Sequence, residues 1–216
     1  MPRNWLLCGA AACALALAGP PAAARQLSSR PADDWSARLE RPDRVASLKI
    51  DYIISSLGLK PGSIVADIGA GPGVLTLPIA KAVGAGKVYA VEIDQGFLDR
   101  IKAKTRDAGI NNVVTVLGEY SDPKLPARDV DVALFHDVLH HIKERAAYLK
   151  ATAAYVKPGG RIAIVELPPD GSHKDEPELV VTKEQVKGWM ADAGFAPVQE
   201  FDGLQPAKWF VVYGRK

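Results

Sequence analysis

Cysteine is almost absent from this chain: the two residues present, Cys8 and Cys13, both fall within the first 24 positions. From Arg25 onward there is no thiol, which excludes a disulfide framework, a cysteine nucleophile and a cysteine-held metal. An excess of charge of one sign is also lacking. Lys plus Arg number 27 and Asp plus Glu 25, a formal +2 at pH 7, and no basic stripe interrupts that balance. Nothing therefore marks a nucleic-acid partner. The apolar run at the N-terminus, Trp5 to Leu17, is shorter than the about 20 residues a membrane-spanning helix needs. There is no internal repeat. What remains is 216 residues, 48% hydrophobic and 24% charged, enough for one globular domain and too few for two ordinary ones.

The opening segment is read separately. Arg3 gives a positive start, Trp5–Leu17 an apolar stretch, and Ala22-Ala23-Ala24 the A-x-A form of a signal-peptidase site. Residues 1–24 are expected to be a signal peptide, residues 25–43 an N-terminal arm and residues 44–216 the folded domain. The expected location is secreted or periplasmic once the leader is cleaved, and cytoplasmic if the true start lies downstream. No stable membrane insertion is expected after cleavage.

Beyond the arm, Val45, Leu48, Ile53, Ile54 and Leu57 recur at roughly helical spacing, and Gly58, Pro61 and Gly62 end that helix. Short Val/Ile-rich runs then alternate with helical stretches. The runs at 63–66, 87–91, 113–117, 130–135 and 161–165 have the form of buried parallel strands. Helices are expected over 74–83, 95–108, 144–156 and 183–193. Residues 197–201 and 208–213 are joined by too short a loop for a parallel crossover, so they should form an antiparallel hairpin. The fold class is α/β: one doubly wound domain with a mostly parallel, seven-stranded sheet and an antiparallel C-terminal end.

In such sheets ligands bind beyond the carboxyl ends of the strands. The first strand runs out through Asp67-Ile68-Gly69-Ala70-Gly71-Pro72-Gly73, and the alternate glycines permit a tight turn and close backbone approach to a ligand. The dinucleotide fingerprint G-x-G-x-x-G is not met, because its third glycine would fall on Val74 or Thr76. One strand later the chain reads Val88-Tyr89-Ala90-Val91-Glu92. An acid there suits a ribose diol, which a carboxylate holds through two charge-assisted hydrogen bonds. The fourth strand ends His136-Asp137-Val138-Leu139-His140-His141, where a histidine has the right pKa range to take a proton.

The D-x-G-x-G-x-G loop, Glu92, Gly118-Glu119-Tyr120, the segment Asp131–His141 and Lys157-Pro158-Gly159-Gly160-Arg161, in this order and spacing, resemble the class I S-adenosylmethionine-dependent methyltransferases. The likeness covers about residues 44–216 and implies their Rossmann-like fold, with S-adenosyl-L-methionine as cofactor. It implies cofactor contacts from Asp67, Gly69, Ala70, Gly71, Gly73, Glu92, Ile93, Glu119, Tyr120 and His136, although Tyr120 replaces a small residue common in the family. Either the amides of Gly69–Gly73 and the helix beginning near Val74 receive the carboxylate of the ligand, or its amino group meets Asp67 indirectly. His136, Asp137 and His140 are the candidates for catalytic roles; the alternative is that His140 or His141 orients the loop under the cofactor and no base is used. The likeness also suggests that Trp35–Arg44 folds over the site, where composition alone suggests a solvated charge run. The loop Leu167–Glu178 is a candidate wall of the acceptor pocket.

The expected acceptor is a small molecule, methylated at O, N or C. The Asn/Asp-Pro-Pro-aromatic tetrad of base-amino methyltransferases is absent, and thiol-dependent cytosine or arsenic chemistry lacks its thiolate. His136 and His140 are four apart, but no third ligand is evident and no metal is expected. The alternatives left open are a non-catalytic binding protein on the same fold and, further off, a nicotinamide-dependent oxidoreductase.

Overall fold

The computed structural model describes residues 32–169, 175–204 and 208–216. The expected leader therefore lies outside the described residues, as do the first part of the arm and the middle of the loop 167–178. Seven strands form one sheet: β1 (Ile64–Ile68), β2 (Lys87–Glu92), β3 (Val113–Leu117), β4 (Val130–His136), β5 (Val156–Glu166), β6 (Phe195–Phe201) and β7 (Trp209–Arg215). Their order is β3-β2-β1-β4-β5-β7-β6. The first five are parallel, and β7 inserts antiparallel between β5 and β6. This is the doubly wound sheet with an antiparallel hairpin that the sequence calls for. The strand order reverses between β1 and β4, which opens a crevice at their carboxyl ends.

The helices are α1 (Ala32–Leu39), α2 (Pro42–Ser47), α3 (Ile50–Ser56), α4 (Thr76–Val83), α5 (Gln95–Asp107), α6 (Arg145–Ala153) and α7 (Lys183–Asp192). Both faces of the sheet are covered. One face packs Ala66, Ile68, Phe135 and Ile164 with Leu149, Val186 and Met190. The other packs Val65, Val88, Leu134 and Val165 with Ile53, Leu57, Ile79 and Val83. Burial of both faces explains why the central strands read as unbroken apolar runs rather than alternating ones.

Two boundaries differ from expectation by more than two residues. The single helix expected over 44–57 is broken at Leu48–Lys49, where Lys49 takes a left-handed φ of 49°. Leu48 and Ile53, five residues apart, would lie about 140° apart around one continuous helix. The break lets both bury, along with Leu57. The helix expected to reach Val156 stops at Ala153 instead, because Val156 pairs with Val130 and begins the eleven-residue β5. Among the described residues, no helix is long and apolar enough to cross a membrane.

Candidate functional site

On the β1–β2 side of the crevice, a short loop is fastened at both ends. Asp67, buried near the end of β1, accepts a 2.6 Å hydrogen bond from the Thr76 hydroxyl at the start of α4. Strand and helix are thereby tied together beneath the glycines. Burial pushes the Asp67 carboxyl up to about 6, although the Thr76 bond works the other way. Asp67 thus acts through the loop it anchors.

The three glycines have three different reasons. Gly69 (φ +68°) leaves room for Val138, whose Cγ2 would lie 2.2 Å from an added Cβ. Gly73 (φ +82°) admits Ile101 and Leu77 as α4 and α5 close on the loop. At Gly71 (φ +53°) an added Cβ would meet only Leu39 Cδ1, at 3.7 Å, so this is where the loop lies open. The amides of the loop are committed within the protein. Gly69 and Ala70 both donate to the Val91 carbonyl, Gly73 donates to Ala70, and Gly71 donates to Glu92. The expected reception of a ligand carboxylate by these amides therefore finds no spare N–H among them.

Glu92 ends β2 directly beside this loop. Its Oε1 accepts from the Gly71 N–H at 2.8 Å and its Oε2 from the Ile93 N–H at 2.9 Å. Each oxygen keeps a lone-pair direction in reserve, enough for one further donor apiece. Burial raises the Glu92 pKa to about 7, against the lowering effect of the two N–H bonds. Glu119 and Tyr120 lie past the end of β3 and are exposed, with Glu119 3.2 Å from Lys124 Nζ in an ion pair.

The arm roofs this half of the site. Glu40 pairs with Arg100 at 2.7 Å and with Lys104, both on α5, and Lys104 in turn donates to the Pro72 carbonyl at 2.8 Å. A Cβ on Gly96 would lie 2.8 Å from Ala32, while Leu39 faces Gly71. The run Trp35–Arg44 is thus docked through Ser36, Leu39 and Glu40, while Ala37, Arg38, Arg41, Pro42 and Asp43 stay exposed.

On the β4–β5–β7 side the chemistry comes from side chains. His136 ends β4, and burial holds its pKa down to about 4, so the ring is neutral at pH 7. Asp137 follows with a left-handed φ of 53°, a conformation that costs a non-glycine residue roughly 1–3 kcal/mol. Its N–H still donates to the Val165 carbonyl. One carboxylate oxygen, Oδ2, meets Lys208 Nζ, with Arg44 at 3.9 Å and His136 Nδ1 at 3.7 Å. Burial works against the Asp137 carboxylate, but His136, Lys208 and Arg44 together hold its pKa below the ordinary value. Beneath them His140 Nδ1 sits 2.7 Å from Glu166 Oε1, and Glu166 also accepts from the His140 and Leu167 amides. Both side chains are buried, which makes His140 a member of the supporting framework.

Five buried polar atoms of the described residues have no hydrogen-bond partner: Trp35 Nε1, Ser36 Oγ, His136 Nε2, Asp137 Oδ1 and Trp209 Nε1. All lie on elements at or over the carboxyl edge of the sheet. Buried polar groups in folded proteins are nearly always paired, so these atoms have hydrogen-bonding capacity that the described residues do not fill.

Sequence reasoning did not reach Lys208, Glu166, or the bond from Lys104 to the glycine loop. Glu166 carried a usable signal, since an acid closing a buried apolar strand is what singled out Glu92. Lys208 carried none, because it meets Asp137 across 71 positions of the chain.

A family model described as a methyltransferase domain matches residues 65–160. That segment is similar to a methyltransferase domain. Its match runs from β1 into β5 and so takes in the glycine loop, Glu92 and His136–His141. The helix α2, which brings Arg44, and the β6–β7 hairpin with Lys208 at the head of β7 lie outside it. The ubiquinone/menaquinone biosynthesis C-methyltransferase UbiE of Vibrio vulnificus is 30% identical over 117 residues, which is 53% of this chain and 45% of that protein. The chain thus matches less than half the length of such curated relatives. Among solved structures, an S-adenosylmethionine-dependent methyltransferase from Aquifex aeolicus superimposes with a TM-score of 0.77 at 24% identity, over 87% of this chain and all of that one. The 1,6-didemethyltoxoflavin-N1-methyltransferase of Burkholderia thailandensis, solved with its substrate and S-adenosylhomocysteine, gives 0.66 at 22% identity, covering 93% of each chain. At these identities the structures establish a shared Rossmann-like methyltransferase fold.

Proposed function

We propose that this protein is an S-adenosylmethionine-dependent methyltransferase that acts on a small molecule. The observation that carries this reading is Glu92, an acid at the carboxyl end of β2 bonded to the open Gly71 of the loop beside it. A carboxylate so placed accepts both hydroxyls of a ribose while keeping its two backbone bonds. The residues present fit the cofactor. Gly71 leaves space, Glu92 has acceptor capacity, and Trp35 Nε1 and Ser36 Oγ are buried polar atoms that lack partners on the helix whose Leu39 faces Gly71.

The cofactor supplies an electrophilic methyl group on a sulfonium. The protein aligns the acceptor with that methyl and excludes water, which is where most of the acceleration of such a displacement arises. His136, neutral and without a partner at Nε2, would take the proton of the acceptor. Asp137 Oδ1 accepts a hydrogen bond from the acceptor, and His140, held by Glu166, positions the turn that carries them.

Calorimetric titration of the full chain with S-adenosylmethionine, S-adenosylhomocysteine and NAD tests the reading. Micromolar binding of the first two and silence with NAD are expected. Silence with all three, or binding of NAD alone, would overturn it. We also propose that residues 1–24 are a cleaved leader and that the protein works outside the cytoplasm. Amino-terminal sequencing of the protein purified from its host should then begin at Arg25, and an intact Met1 would refute export by cleavage.

A further inference from the structure

The charge at Asp137 does not balance. Lys208 Nζ and Arg44 both converge on Oδ2 of this one carboxylate. His136 beside it is neutral at pH 7. Arg38, with its guanidinium 5.6 Å from the Trp35 ring on the same arm, adds a third cation near Arg44. The other buried acid at this edge, Glu166, is taken up by His140 and two amides. Of the arm's acids, Asp43, next to Arg44 in the chain, is paired with Arg41, and Glu40 is taken up by Arg100 and Lys104. At least one positive charge is therefore left over in a largely enclosed place, where an unmatched charge is expensive and an incoming anion is strongly favoured.

The position of this surplus says which reactant brings the anion. The glycine loop and Glu92 stand on β1 and β2. Asp137 follows β4, and Lys208 leads into β7, which lies beyond β5. The short helix bearing Arg44 is held toward the same side, because Lys49 and Tyr52 just after it donate to the Gly203 and Asp202 carbonyls of the β6–β7 turn. In the same place Asp137 Oδ1 and His136 Nε2 are buried without partners, so the ligand that enters presents a hydrogen-bonding group as well as a charge.

We propose that Arg44 and Lys208 form an anion subsite for the methyl acceptor, which is a small molecule carrying an ionised carboxylate near the hydroxyl or amine that meets Asp137 and His136. The nature of the reaction rests on the methyltransferase reading; the preference for an anion does not. Arg44, with planar paired donors, fixes the orientation of the carboxylate, and Lys208 neutralises it as a point charge.

The test compares 2-hydroxybenzoate with 2-hydroxybenzamide, nearly equal in shape and different in charge, as ligands of the full chain with and without saturating S-adenosylhomocysteine. The acid should bind tighter by about tenfold to a hundredfold, the range for a charge-assisted hydrogen bond. Arg44→Gln and Lys208→Met should each bring that ratio near unity, while Arg44→Lys retains part of it. Affinity for S-adenosylhomocysteine should stay within about twofold in all three variants, which also shows that they are folded. Equal binding of acid and amide by the unaltered protein, absence of binding by both, or a preference that survives in both charge-removing variants would overturn the proposal. So would a large loss of S-adenosylhomocysteine affinity in those variants, which would assign the cations to the carboxylate of the donor. If S-adenosylhomocysteine does not bind at all while the acid preference persists, the methyltransferase reading falls and the anion subsite stands.

Discussion

On the β1–β2 half of the sheet edge, a carboxylate meets backbone: Glu92 accepts from Gly71 and Ile93, within one strand–loop–strand unit. On the β4–β7 half, a carboxylate meets side chains from opposite ends of the chain: Asp137 gathers Arg44 from α2 and Lys208 from the hairpin. The first arrangement depends on a local turn that only glycine accommodates, and it falls within the matched methyltransferase segment. The second depends on what α2 and the hairpin happen to carry, and its cations fall outside that segment. A shared donor served by the first half and a protein-specific acceptor served by the second would divide the edge in this way.

The comparison is broken most severely at Gly71. Gly71→Val puts a branched side chain into the open side of the loop at a positive φ, and binding of S-adenosylhomocysteine should be lost in calorimetry while the fold persists. A folded variant that still binds would move the ligand off this half. Glu92→Ala comes next, with a loss of about 1.5–3 kcal/mol in S-adenosylhomocysteine affinity, the range for hydrogen bonds to a charged group. Unchanged affinity would remove ribose from Glu92.

A smaller effect follows from pH. The folded pKa of Glu92, about 7, lies above its ordinary 4.5, and that of Asp67, about 6, lies above 3.8. For a raised carboxyl, the stabilising contribution is complete below the unfolded pKa and is lost as pH climbs through the folded one. The ligand-free protein should therefore melt at lower temperature at pH 8 than at pH 5. A ligand that needs ionised Glu92 reverses this trend, so the rise in melting temperature on adding S-adenosylhomocysteine should grow between pH 6 and 8. Glu92→Gln should abolish that growth. Smallest of all is Arg41→Ala, which removes an exposed pair with Asp43 and should leave both the melting temperature and binding unchanged. A large effect there would mean that the arm docks differently.

The same division governs what the sequence reveals. Strand runs, the glycine loop and Glu92 are legible because each is a local pattern whose meaning depends on neighbours in the chain. The antiparallel ending is legible because so short a connection permits nothing else. The break at Lys49 and the early end of α6 are not, because they follow from tertiary packing of Leu48 and from pairing of Val156 with Val130. The commitment of the loop amides to Val91, Ala70 and Glu92 is likewise a fact of three dimensions. His136, Asp137 and His140 were legible as a cluster, but their separate situations were not. One is neutral without a partner at Nε2, one is strained among cations, and one is held by Glu166.

The most direct test of the divided edge is a crystal structure of the full chain with S-adenosylhomocysteine. The account predicts the ribose hydroxyls on Glu92, the ligand passing over Gly71, and the sulfur facing the β4 end where His136 and Asp137 stand, with Arg44 and Lys208 still on Asp137. A ligand whose ribose avoids Glu92, or whose carboxylate displaces Asp137 from Arg44 and Lys208, would contradict it.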